Sequence, residues 1–163
     1  MGGMGQTFSL AEVFRVAEQI EANGCDFYAR AAGASADPAV RRMFRTLAEQ
    51  EREHREVFVQ MRAAACGRQD VHWVDPDGEA QGYLRAVAEN HVFTRNGDVS
   101  ALLGSVQSPA SVLRLAIGFE RDTIAYFAAL KESVSPEQRE KVDLLIGEEL
   151  KHLSQLQGAL EAV

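Results

Sequence analysis

Two short segments of the chain carry the same pair of metal-ligating side chains at the same spacing, Glu51-Arg52-Glu53-His54 and Glu149-Leu150-Lys151-His152. A carboxylate and an imidazole three residues apart share one face of an α-helix, so each segment can offer an oxygen and a nitrogen to one cation. Each pair sits in a line of apolar residues that advances by alternating steps of three and four. One line is Val40, Phe44, Leu47, Glu51, His54, Phe58, Met61 and Ala65; the other is Val142, Leu145, Glu149, His152, Leu156, Ala159 and Val163. Such a line marks the inward seam of a packed helix. Two more seams hold a single glutamate near their middle, namely Phe14, Ala17, Glu21, Gly24, Tyr28 and Leu113, Ala116, Glu120, Thr123, Phe127, Leu130.

Four carboxylates and two imidazoles are therefore aimed at one level of a core. An unpaired carboxylate in an apolar interior costs several kcal/mol and normally neutralises itself by taking up a proton. Four of them at one level call for cations. Two Glu-x-x-His motifs plus one glutamate from each of two other helices make the carboxylate-bridged two-metal site of a bundle core. The mixed oxygen and nitrogen set suits iron or manganese better than the thiolate sites of structural zinc.

An internal repeat supports the same reading. Ala17-x-x-Ile-Glu21-x5-Phe-Tyr-Ala recurs as Ala116-x-x-Phe-Glu120-x5-Tyr-Phe-Ala, and Leu47-x-x-Gln-Glu51-x-Glu-His54 recurs as Leu145-x-x-Glu-Glu149-x-Lys-His152. Glu21 and Glu51 are 30 residues apart and Glu120 and Glu149 are 29 apart, so two similar hairpins related by a pseudo-twofold would each give half of a symmetric site.

The elements that must position these residues are all helical. The first helix is expected from Ser9 to about Ala32, and the second from Asp37-Pro38 to about Cys66, with Asp37 as N-cap and Pro38 in the first turn. Ser108-Pro109 opens a third, to about Ser133, and Ser135-Pro136 a fourth, running nearly to Val163. Short connections make each pair an antiparallel hairpin. The roughly 40 residues from Gly67 to Gln107 form a long crossover with turns at Asp75-Pro76-Asp77-Gly78 and Asn96-Gly97 and one small helix within Glu79 to Phe93. The fold class is an all-α four-helix bundle of two antiparallel hairpins, one domain over residues 1–163 with 1–7 as a disordered lead-in.

Composition narrows the function. The chain has 163 residues, 46% hydrophobic, with 24 acidic against 17 basic side chains. That balance repels nucleic-acid backbones and anionic membrane surfaces. No stretch approaches the ~18 apolar residues of a membrane span, and the N-terminus lacks the charged and apolar regions of a signal peptide. Two cysteines, Cys25 and Cys66, give neither a disulfide framework nor a CxxC pair, which fits a cytoplasmic location. Cys25 is expected as a small buried side chain. Tyr28 is expected either as a hydrogen-bonding or redox-active neighbour of the metals or as a core tyrosine. His72, Glu89 and His91 read as solvated or capping residues of the crossover, and Glu148, one position off the seam, as a surface partner of a nearby lysine or arginine.

These residues resemble the rubrerythrin branch of the ferritin-like superfamily over nearly the whole chain. The resemblance is carried by Ile20-Glu21-x-x-Gly24-x-x-Phe27-Tyr28, Phe44-x-x-Leu47-Ala48-x-x-Glu51-x-x-His54, Tyr83-Leu84-x-x-Val87 through Phe93, and Glu148-Glu149-x-x-His152-Leu153. It implies that Glu21, Glu51, His54, Glu120, Glu149 and His152 ligate two iron ions, with Glu51 and Glu149 bridging and manganese or zinc as substitutes. It also implies a homodimer or higher homo-oligomer and a non-haem di-iron oxidoreductase acting on dioxygen or hydrogen peroxide, in oxidative stress or iron metabolism.

The departures from the family matter equally. Peroxide-reducing rubrerythrins carry an extra carboxylate three residues after the third-helix glutamate, where Thr123 stands. They also carry a rubredoxin domain with two CxxC pairs, so electrons here are expected from an external donor such as a rubredoxin-like protein, or from a small reductant. Bacterioferritin places a haem-binding methionine where Arg52 stands, and a short fifth helix is not expected, which weakens the reading as a storage cage. The alternatives are a ferroxidase that stores or delivers iron, and a helical interaction module with a structural or empty site.

Overall fold

The structure is a computed structural model that describes residues 9–66, 78–91, 99–105 and 108–163. Among these are four long helices, α1 (Leu10–Ala34), α2 (Pro38–Cys66), α5 (Pro109–Lys131) and α6 (Pro136–Glu161), and two short ones, α3 (Glu79–Asn90) and α4 (Val99–Gly104). The helix starts follow local chemistry. Asp37 Oδ1 accepts from the Ala39 and Val40 amides at 2.7 and 3.0 Å. Ser108 and Ser135 cap α5 and α6 through the Ser111 and Gln138 amides, each ahead of a proline whose missing N–H is one that a first turn leaves unpaired anyway. Ser9 and Glu12 close a reciprocal capping box on α1.

Cross-helix contacts give the topology. Glu18 pairs with Arg62 and Tyr28 stacks on Phe44, so α1 and α2 run antiparallel. Lys131 pairs with Asp143 and Glu120 faces His152, which does the same for α5 and α6. The Tyr126 hydroxyl donates to the Val13 carbonyl while Phe27 packs edge-on to Phe119, making α1 and α5 antiparallel neighbours. The Gln138 amide donates to the Met61 carbonyl and His54 meets Glu148, joining α2 to α6. Every adjacent pair in the four-helix square is thus antiparallel. Crossover helix α3 lies on α5, and α4 lies on α1.

The buried apolar side chains fall into two blocks with the polar layer between them. One block gathers Phe14, Phe58, Met61, Tyr126, Phe127 and Leu145 with Leu84 of α3. The other gathers Phe27, Tyr28, Phe44, Leu47, Phe119 and Leu156 with Val99 of α4. Each block rests on large side chains removed from water, the dominant favourable contribution to folding.

Three expectations need correction. The crossover holds two short helices, because Val99 is buried, with Leu102 and Leu103 packed beside it, and six residues are too few for a periodicity to announce a helix. Val163 leaves the seam and is exposed, since α6 ends at Glu161. Cys25 is only half-buried. Residues 1–7, His72, the turns at 75–77 and 96–97, and the side chain of Glu89 lie outside what is described. Gly78 does take the left-handed conformation a turn before α3 requires, at φ 68°. No helix among the described residues is long and apolar enough to cross a membrane.

Candidate metal centre

The centre is built where the four seams meet. Glu21, Glu51, His54, Glu120, Glu149 and His152 are all at most 4% exposed. They form two overlapping groups, Glu21, Glu51, His54, Glu149 and Glu51, Glu120, Glu149, His152, and within each group one potential ligand atom per residue lies within 4.8 Å of every other. Glu51 and Glu149 belong to both. That sharing follows from the helix pairing: each of these glutamates sits one turn before a histidine of its own helix and faces the histidine of the antiparallel neighbour.

Both imidazoles turn Nδ1 inward. His54 Nδ1 lies 2.8 Å from Glu149 Oε1, 3.5 Å from Glu51 Oε2 and 3.7 Å from Glu21 Oε2. His152 Nδ1 lies 2.9 Å from Glu149 Oε2, 3.2 Å from Glu51 Oε1 and 3.7 Å from Glu120 Oε1. The rings stack with centroids 5.5 Å apart and planes 11° from parallel. Neither oxygen of Glu21 or Glu149 has a hydrogen-bond partner, and neither Nδ1 has one. These contacts are close without being hydrogen bonds. Buried polar atoms are rarely left in that state, and so many orphaned together mark a place built for something else to bind.

The electrostatics agree. Burial, reinforced by the nearby Glu51 carboxylate, pushes Glu21 and Glu120 well above the usual carboxylate range. For Glu51 burial acts upward too, but the close approach of Glu21, His152 and His54 outweighs it and holds the group low. Burial opposes charging of the histidines, yet the facing carboxylates raise His54 to about 10 and His152 to about 12. Without a cation the cluster compensates its own charge with protons.

Three more side chains complete the surroundings. Tyr28 donates its hydroxyl to Glu120 Oε1, so it is at once a core tyrosine and a neighbour of the cluster. Burial and the Glu120 charge drive its acidity down, and the phenol keeps its proton. Glu148 is not a partner of a surface cation: its Oε2 lies 2.6 Å from His54 Nε2, because its long side chain reaches across from α6 to the outer edge of the ring on α2. His91 is neither solvated nor a free cap. It closes α3 with its backbone while its ring is buried, Nε2 lying 3.1 Å from Thr123 Oγ1. Burial lowers His91 to about 4, which keeps it neutral. Thr123 borders a cavity of about 10 Å³ on the α1–α5 side of the cluster, enclosed with Glu21, Gly24, Tyr28, Glu51 and Glu120. The signal for Glu148 was its register in the repeat. For His91 the crossover offered none.

Comparison with known proteins agrees with this geometry. The chain superposes on the crystal structure of a protein from Thermotoga maritima described as a ferritin-like diiron-carboxylate protein, with a TM-score of 0.71 and 23% sequence identity, over 96% of this chain and 97% of that one. That likeness shows a shared fold. A search of curated proteins returns no match. The family model for rubrerythrin matches residues 12–160, a span that takes in all four long seams and every residue of the buried cluster. The chain belongs to the rubrerythrin family.

Proposed function

We propose that the chain is a non-haem di-iron oxidoreductase in which Glu21, Glu51, His54, Glu120, Glu149 and His152 hold two iron ions, and which reacts with dioxygen or hydrogen peroxide. The observation that carries this is the pair of overlapping buried ligand groups sharing Glu51 and Glu149. Two such groups would hold two cations, with Glu51 and Glu149 common to both, Glu21 and His54 completing one position and Glu120 and His152 the other. Carboxylate and imidazole ligands suit iron and manganese, while zinc is a competent substitute.

Bound ferrous ions would supply one electron each to the oxidant. The chain's own residues set the conditions for that transfer. The apolar blocks above and below the cluster exclude bulk water, which strengthens every charge interaction within it. The small cavity beside Glu21 and Glu120 has about the volume that one water-sized molecule needs, and so is the place for a small oxidant. Tyr28 stands at its edge and retains a proton on its hydroxyl. Thr123 offers a hydroxyl on the wall where peroxide-reducing relatives would place a carboxylate, which favours slow peroxide turnover.

Reductant is taken to come from a separate donor, such as a rubredoxin-like protein, in the reducing cytoplasm, and the working form to be a homodimer or larger assembly. Anaerobic loading of metal-free protein with ferrous iron, followed by metal analysis and stopped-flow mixing with each oxidant, tests the reading. Two irons per chain and oxidation within the enzyme's lifetime support it. A chain that folds fully, binds no iron and ignores both oxidants would instead be a helical interaction module.

A further inference from the structure

The two halves of the cluster offer the same ligands in different surroundings, and the differences fall in one direction. In the repeat, Glu148 of α6 corresponds to Gln50 of α2, and Tyr28 of α1 corresponds to Phe127 of α5. On one side, His54 Nε2 meets the Glu148 carboxylate at 2.6 Å. On the other, His152 Nε2 is buried with no hydrogen-bond partner, as is Gln50 Oε1. A carboxylate on the outer N–H of a ligating imidazole fixes the proton there, leaves Nδ1 free to bind and makes it more basic; losing such a partner costs about 10–100-fold in metal affinity.

The second difference involves the terminal carboxylates. Tyr28 donates to Glu120 Oε1, so part of that oxygen's electron density is already engaged. Phe127, at the equivalent place, has no hydroxyl to offer Glu21, and both Glu21 oxygens are free of hydrogen bonds. Nitrogen and oxygen ligands thus favour the same half.

Resting on the two-metal reading above, we infer that the two positions are unequal: a divalent cation binds first and more tightly between Glu21 and His54, and the Glu120–His152 position fills second. The affinity difference expected from the carboxylate partner alone is about 10–100-fold.

Anaerobic titration of the metal-free full chain with Co²⁺, followed by calorimetry and by the visible absorption of the bound ion, tests this without recourse to activity. The wild type should take up two ions in two resolved steps. Glu148→Gln keeps the size and an acceptor but removes the charge, and the half-exposed Glu148 side chain (47%) tolerates the change without loss of fold. It should weaken the tighter step about tenfold or more and leave the weaker step unchanged. Tyr28→Phe should strengthen only the weaker step. Two equal steps in the wild type, or a Glu148→Gln effect confined to the weaker step, would overturn the inference while leaving the two-metal reading intact. Uptake of fewer than two ions overturns that reading and the inference with it.

Discussion

Metal loading of this protein should release protons in a number that the buried cluster fixes. In the metal-free chain burial and the neighbouring carboxylates hold Glu21 and Glu120 well above the carboxylate range, which favours their protonated forms at pH 7. His54, at about 10, and His152, at about 12, are also protonated. Four of the six groups therefore carry a proton that must leave, because a cation needs ionised carboxylates and a neutral imidazole nitrogen. Binding of two divalent ions should release about four protons per chain. Six exposed groups of the same types would behave otherwise: carboxylates are already ionised at pH 7, and two ordinary histidines would give up only about half a proton together.

Calorimetric titration with Mn²⁺ at pH 7 measures this directly. The observed heat, plotted against the ionisation enthalpy of several buffers, has the released proton number as its slope. Manganese avoids the oxidation that would obscure the heat of ferrous iron. A slope of about two or less, with two ions bound, would show that half or more of these protons are absent without metal, and the account of how the metal-free cluster is neutralised would fail.

The same protons govern stability. Glu21 and Glu120 bind protons more tightly folded than unfolded, and so do His54 and His152, so the folded metal-free chain holds more protons than the unfolded chain. Its stability should fall as pH rises above the unfolded carboxylate value of 4.5, with the histidine contribution complete below 6.5 and lost as pH climbs through about 10. Melting temperatures from pH 5 to 8 should decline for metal-free protein and stay flatter for loaded protein, with loading worth about 2.7 kcal/mol at a hundredfold excess of free ion over Kd; coincident curves would contradict this. Glu120→Ala removes the one side chain that α5 gives to the buried cluster and should cut metal content from two ions to one and abolish oxidation of the reduced centre, so a variant retaining two irons and normal rates would refute the proposed ligand set. Thr123→Glu places a carboxylate on the cavity wall in place of the hydroxyl that meets His91, and should speed oxidation by hydrogen peroxide relative to dioxygen in stopped-flow mixing. No change in that ratio would dissociate Thr123 from peroxide reactivity.

The six clustered residues were legible in the sequence because helical periodicity turns a polar residue on an apolar seam into an anomaly. Glu51 and Glu149 break lines in which most of the apolar members are buried, among them Leu47, Phe58 and Leu145. Glu148 escaped the same logic. Seam position reports where a Cβ points, whereas a glutamate one position aside has enough length to curl over its helix and reach the neighbouring ring. His91 escaped because its burial depends on how α3 lies on α5, a packing of one short helix against a long one that has no repeat to betray it.

The repeat explains more through its mismatches than through its matches. Each ligand has a like partner across the pseudo-twofold, so the ligands alone would give two identical positions and a symmetric cavity. Three departures fall beside the cluster: Gly24 opposite Thr123, Tyr28 opposite Phe127 and Gln50 opposite Glu148. Gly24, Tyr28 and Thr123 all border the water-sized cavity. Tyr28 meets one terminal carboxylate and Glu148 the opposite imidazole, the contacts on which the inferred inequality of the two positions rests. On the proposed reading, symmetry in the clustered side chains would set how many ions are held, and asymmetry around them where an oxidant enters and in what order the positions fill.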